Sequence, residues 1–167
     1  APQHATQMCS IADRISESAR RPVPSGSMSI PKKLQTMIDV MATSPKAFRT
    51  EALLDYSKRL PPLPDHIDAS ELEQVAECQS PFFLTTELDD DGRVRMYFEA
   101  PPEAPTTRGF AAIVHEGLNG ETPEAILEVP NDFFYDMGLA EVISPLRLRG
   151  MSAILARLKR QVTELAS

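Results

Sequence analysis

One soft nucleophile in this chain could be positioned for chemistry. Cys78 sits in the polar break Glu77-Cys78-Gln79-Ser80, and the apolar run Pro81-Phe82-Phe83-Leu84-Thr85-Thr86 follows it. A thiol reacts as its thiolate, and a break between strands can carry a side chain between shelter and exposure. A residue locked inside a strand cannot make that move. The other cysteine, Cys9, lies in an N-terminal segment that reads as unfolded. The plainer alternative for Cys78 is structural, because a free cysteine commonly behaves as a small buried hydrophobe.

Spacing removes several other chemistries. No second cysteine lies within Cys-x-x-Cys reach of Cys78, so zinc-ribbon, thioredoxin-type and iron–sulfur ligation lack ligands. The three histidines, His4, His66 and His115, stand singly. A triad partner need not be close in sequence, so a cysteine-nucleophile hydrolase stays open, with no residue selected as its base. His115-Glu116 would begin a zinc-protease motif if a second histidine followed one turn later. The chain has Asn119 there, and the pair reads as a solvated helix face. Asp89-Asp90-Asp91-Gly92 lacks the rest of a calcium loop and reads as a hairpin tip. No Walker A or Gly-x-Gly-x-x-Gly phosphate loop is present, so nucleotide and dinucleotide cofactors have no obvious seat.

The totals exclude some partners and leave a protein partner open. At 167 residues the chain suits one domain, and 42% apolar with 25% charged residues is ordinary for a globular fold. The net charge is −7. Residues 1–27 contain three arginines against Asp13 and Glu17, so the acidity belongs to the part that starts at Met28. An acidic body argues against nucleic acid, whose phosphates need clustered Lys and Arg. No apolar window is long enough for a membrane span. Two distant cysteines make no disulfide framework, which predicts a reducing, cytoplasmic setting. Residues 1–27 are rich in Ser, Arg, Pro and Gln without the apolar stretch of a secretory signal. They are expected to be a disordered extension, or residues added ahead of a natural start at Met28, leaving 28–167 as the domain.

The elements that must position Cys78 follow from periodicity. Leu34, Met37, Ile38 and Met41 form a helical stripe. Ser44-Pro45, with the hydroxyl as N-cap, predicts a second helix carrying Phe48, Ala52, Tyr56 and Leu60, stopped by Pro61-Pro62-Leu63-Pro64. Leu72–Ala76 and Phe82–Leu88 read as strands on either side of the cysteine break. Arg93–Glu99 alternates with period two beyond the Asp-Gly turn. After the proline-rich connector 99–105, Thr106 or Thr107 is expected to cap a helix with Phe110, Ile113, Val114 and Leu118. Short helices follow at Thr122-Pro123-Glu124 and at Phe133-Phe134. Ser144-Pro145 opens the last, with Met151, Ile154, Leu155, Leu158, Val162 and Leu165 at helical spacing. Two helices, a small antiparallel sheet and then several helices make an α+β fold.

These residues resemble the SufE-type sulfur acceptors of iron–sulfur cluster assembly. The similarity spans nearly all of 31–160. It is carried by Tyr56-Ser57-Lys58-Arg59-Leu60-Pro61-Pro62-Leu63-Pro64, by Cys78-Gln79-Ser80 before an apolar strand, and by Arg108-Gly109 opening a helix. Thr122-Pro123-Glu124, Phe133-Phe134 before Gly138, and Ser144-Pro145-Leu146-Arg147-Leu148-Arg149-Gly150 continue it. Glu77 departs from the glycine often found before the family's cysteine, and 99–103 departs from its acidic, small-residue stretch. The resemblance implies a curved sheet of about three strands packed with N- and C-terminal helices, as in IscU-like scaffolds. It implies Cys78 as the residue that takes persulfide sulfur from a cysteine desulfurase and passes it to an iron–sulfur scaffold, stimulating the desulfurase. Pyridoxal phosphate would belong to the partner alone. Gln79, Ser80 and Arg147 are then the expected binding residues, with a surface salt bridge as the alternative for Arg147; Phe82, Phe83 and Met96 are candidate apolar walls, and core packing explains them equally well. A non-catalytic desulfurase regulator is the rival reading, with the hydrolase behind it.

Overall fold

The computed structural model describes residues 11–12 and 30–167. In chain order, helices α1 (Lys32–Ala42) and α2 (Lys46–Ser57) come first, then strands β1 (Glu73–Gln74), β2 (Phe83–Leu88) and β3 (Val94–Glu99). Helices α3 (Pro105–Leu118), α4 (Pro123–Leu127), α5 (Phe133–Asp136) and α6 (Pro145–Ala166) complete an α+β fold. Cys9 and most of 1–27 lie outside the described residues. Ile11 packs against the core, and Ala12 is fully buried with its N–H donated to Asp55 Oδ2 at 2.7 Å.

The sheet is antiparallel in the order β1-β2-β3. Glu73 pairs with Leu84 across β1–β2, and Phe83 pairs with Glu99 and Leu88 with Val94 across β2–β3. The predicted alternation holds: Val94, Met96 and Phe98 are buried while Arg95 and Tyr97 stay partly exposed. The β2–β3 turn takes Gly92 at φ 75°, a conformation glycine tolerates without strain, and Asp89 Oδ1 accepts from the N–H groups of Asp91 and Arg93. The outer edge of β3 is covered by 119–121. Asn119 Oδ1 accepts from Met96 N–H at 2.9 Å, and Gly120 N–H donates to Val94 O at 2.8 Å. That pairing removes a free edge that would otherwise recruit another strand.

Helices α3 and α6 pack on β3 and β2, and α2 packs on α3. The α2–α3 crossing is close because Gly109 has no side chain: a Cβ there would stand 2.2 Å from Leu53 O. Arg108 beside it donates Nε–H to Ser57 O at 2.9 Å and Nη1–H to Ala100 O at 2.6 Å. One Arg-Gly pair therefore docks α3 on α2 and ties down the connector 100–105. Buried Arg49 reaches the C-terminal carbonyls of α1, donating to Met41 O at 3.0 Å and Ala42 O at 3.2 Å, and it pairs with Glu141. It satisfies carbonyls that the helix end leaves without intrahelical partners.

Several local expectations shift. Strand β1 covers only Glu73–Gln74 rather than 72–76, and Leu60 lies beyond α2, although it is buried. Ser44 does not cap α2: its hydroxyl donates back to Val40 O, closing α1 instead. Neither threonine caps α3. Ala104 is its N-cap and Pro105 its first residue, a position where proline costs nothing because the first turn's N–H groups have no intrahelical partner. The helices expected at Thr122-Pro123 and Ser144-Pro145 do start there, with Thr122 and Ser144 as N-caps accepting from Ala125 N–H and Arg147 N–H. His115 is half-buried rather than solvated, and that burial pushes its imidazole pKa down.

Candidate functional site around Cys78

The β1–β2 connection is short, and it folds back on itself. Val75 N–H donates to Phe82 O at 2.8 Å, closing the hairpin neck, and Cys78 N–H donates to Val75 O at 3.2 Å. The turn delivers the Cys78 side chain to the N-terminal half of α6. Gly150 makes the seat: a Cβ at that position would lie 3.2 Å from Cys78 Sγ and 3.5 Å from Cys78 Cα. The thiol rests there half-buried, with Sγ 3.8 Å from Gly150 O.

Beside the thiol is a cavity of about 180 Å³. Gln79 and Ser80 line it from the loop, Glu103 to Thr107 from the connector and the start of α3, and Arg147, Gly150 and Met151 from α6. The structure thus brings the four sequence-expected residues Cys78, Gln79, Ser80 and Arg147 into one cavity. The candidate walls are replaced. Phe82 and Met96 are fully buried in the core and line no part of this cavity, and Phe83 is absent from it as well. Their places are taken by Ala104, Pro105 and Met151. The reason is pleat geometry for two of them: Phe82, beside Leu84 on one face, and Met96 on β3 point into the body, while the cavity opens against the helices.

The electrostatics are those of a sheltered thiol. Burial first, and then the Glu77 charge, push the Cys78 pKa up to about 11, while the Arg157 charge pulls it down. Arg157 is the site residue that sequence reasoning missed. From α6 it donates Nη2–H to both carboxylate oxygens of Glu77, at 2.9 and 3.1 Å, and Nη1–H to Glu73 Oε2 and Gln74 O, each at 3.1 Å. Its only sequence signal was a seven-residue spacing from Gly150, which places both on one helix face. The Arg147 side chain makes no ion pair or hydrogen bond among the described residues, and neither do those of Gln79 and Ser80. No group of three or more His, Cys, Asp or Glu side chains among the described residues could hold a metal ion. No helix among them is long and apolar enough to cross a membrane.

The fold and the site together define the class: an α+β body that seats a cysteine of a hairpin turn on its last helix, beside a cavity. The comparisons place it more closely: residues 35–162 match the SufE family model, described as an Fe-S metabolism associated domain, and the chain belongs to that family. It is 48% identical over 136 residues to an uncharacterized SufE-like protein of Mycobacterium tuberculosis, covering 81% of this chain and 95% of that one. The solution structure of a hypothetical protein from Thermus thermophilus superposes with a TM-score of 0.74 at 44% identity, covering 82% of this chain and 98% of that one. A Plasmodium falciparum relative named cysteine desulfuration protein SufE is 24% identical over 131 residues, covering 76% of this chain and 52% of that one.

Proposed function

We propose that this chain is a sulfur carrier that takes persulfide sulfur onto Cys78 from a cysteine desulfurase. It then delivers that sulfur to an iron–sulfur assembly scaffold and stimulates the desulfurase as it does so. The observation that carries this reading is the lone thiol seated on Gly150 beside a 180 Å³ cavity. A water-sized group occupies about 30 Å³, so the cavity has room for one more sulfur. The Cys78 thiolate attacks the terminal sulfur of the partner's persulfide. A new S–S bond forms at Cys78, the old one breaks, and the partner's cysteine leaves as a thiolate that takes up a proton. No net oxidation occurs, and rate follows thiolate fraction, nucleophilicity and access.

Gln79, Ser80 and Arg147 bind around the transferred sulfur, with the Arg147 guanidinium, unpaired among the described residues, available to an anionic persulfide. Residues 28–167 form the carrier domain, acting in the reducing cytoplasm, and pyridoxal phosphate stays with the desulfurase. The family's description and the Plasmodium relative's name support a place in cysteine desulfuration. A hydrolase would need a base beside the sulfur, and among the described residues no histidine lines the Cys78 cavity.

The test is intact mass after incubation with a SufE-partner desulfurase and free cysteine. A gain of one sulfur on the wild-type chain, mapped to Cys78 and lost in Cys78→Ser, is the expected result. Stimulation of the desulfurase that survives Cys78→Ala, with no sulfur gained by the wild type, would leave a regulator and remove the carrier.

A further inference from the structure

The Arg157 guanidinium grips two different things. One arm holds Glu73 and Gln74 O on β1, and the other holds the Glu77 carboxylate at the base of the cysteine turn. The two grips are unequally backed up. Glu73 is also held by Arg160 and by Gln161 Nε2–H at 3.0 Å, so β1 stays tied to α6 without Arg157. Glu77 has no other side-chain partner among the described residues. Gly150 and Arg157 lie about two turns apart on the same helix face, so the turn meets α6 at two points, a seat under the thiol and a fork on the residue before it.

We propose that Arg157 is a positioning residue for the thiol: a detachable clasp that holds the Cys78 turn shut on α6 through Glu77, while its second arm stays on β1. Opening the clasp frees the turn without loosening the sheet. Glu77 thereby gains a role at a position where the family often has glycine. The proposal borrows from the carrier reading only the purpose of opening.

Iodoacetamide tests it, because this small neutral probe reports access to Cys78 with no partner present. In a Cys9→Ser background, the alkylation rate is compared for the parent, Glu77→Gln, Arg157→Gln and Arg157→Lys. Charge effects alone pull the variants apart. Losing Glu77 raises the thiolate fraction and speeds alkylation, whereas losing Arg157 lowers that fraction and slows it. A clasp predicts the same sign for both: about two- to fivefold faster than the parent, the range for a partly exposed ion pair. Arg157→Lys, which keeps the charge and loses the fork, falls between. Arg157→Gln at or below the parental rate overturns the clasp, as does Arg157→Lys at the parental rate should the glutamine variant not fold. Sulfur uptake from the desulfurase is scored separately. Alkylation that follows the clasp without any sulfur gain supports the clasp and removes the carrier. Sulfur gain with alkylation indifferent to Arg157 overturns the clasp and keeps the carrier.

Discussion

Gly150→Ala separates the thiol's position from the stability of the helix that seats it. The added methyl would stand 3.2 Å from Cys78 Sγ, inside ordinary van der Waals contact, whereas its next neighbours, Cys78 Cα at 3.5 Å and Glu77 O at 3.7 Å, are at normal distances. The sulfur is therefore the atom that must yield. The helix itself gains, since alanine inside a helix is favoured over glycine by about 1 kcal/mol. A displaced thiol loses its burial, and its pKa moves from about 11 toward the ordinary 9.0. Full release would raise the thiolate fraction at pH 8 about 100-fold, and a midpoint halfway between would raise it about tenfold. The assay is the pH dependence of iodoacetamide alkylation with Cys9 replaced by serine, alongside a thermal melt. The expected result is a lowered midpoint and a faster rate at pH 8, with the melting temperature unchanged or higher. A midpoint still near 11 and a rate within about twofold of the parent would refute the seat, because the methyl would then fit without moving the sulfur.

Stability in alkali should carry the same signature. The folded thiol holds its proton to about pH 11 while the unfolded one releases it near 9.0, so folding stability falls across that window, and less so in Cys78→Ser. Urea midpoints measured from about pH 8 to 11 for the two proteins check the sign; Tyr97, also raised, is common to both and cancels. Gly109→Ala should destabilise the fold by about 3 kcal/mol or more despite better helix propensity, because its Cβ meets the Leu53 carbonyl rather than a movable side chain. Chemical denaturation reads this out, and unchanged stability would show that α2 and α3 can separate freely. Arg49→Met should cost about 2–4 kcal/mol by leaving the Met41 and Ala42 carbonyls and Glu141 without their donor. The same denaturation series checks it.

What could be read in the sequence was whatever a local rule controls. The Leu34, Met37, Ile38, Met41 stripe, the Asp-Gly hairpin and the helix starts at Thr122-Pro123 and Ser144-Pro145 each depend on residues within one or two turns, and each stands as expected. Ser44 failed because two helix ends compete for one hydroxyl, and the backward bond to Val40 O won. Thr106 and Thr107 failed because the connector brings Pro105 to the first helical position before them. The cavity walls were open between two readings, and for Phe82 and Met96 core packing is the one that stands. Phe82 and Met96 looked like shelter by proximity to Cys78, but a strand alternates its faces, and those side chains point into the core. Arg157 could not be found in this way at all, since its partners Glu73 and Glu77 lie some eighty residues earlier.

The direction of the Cys78 shift says how this site must control its reactivity. An enzyme that keeps a cysteine ready for attack lowers its pKa with a neighbouring base or cation, as a hydrolase must. Here the strongest influence is burial and the next is a carboxylate, so the seated thiol holds its proton at neutral pH. The described histidines do not correct this: His66 and His115 line a separate cavity with Leu60 to Pro64 and Met96 to Phe98. Moving the sulfur out of its seat would relieve the largest cause of that shift. That arrangement suits a carrier, which must be inert between partners and reactive only when a donor has opened the turn. On the carrier reading, the glycine seat and the partly exposed Arg157–Glu77 pair would both have to yield when a donor docks.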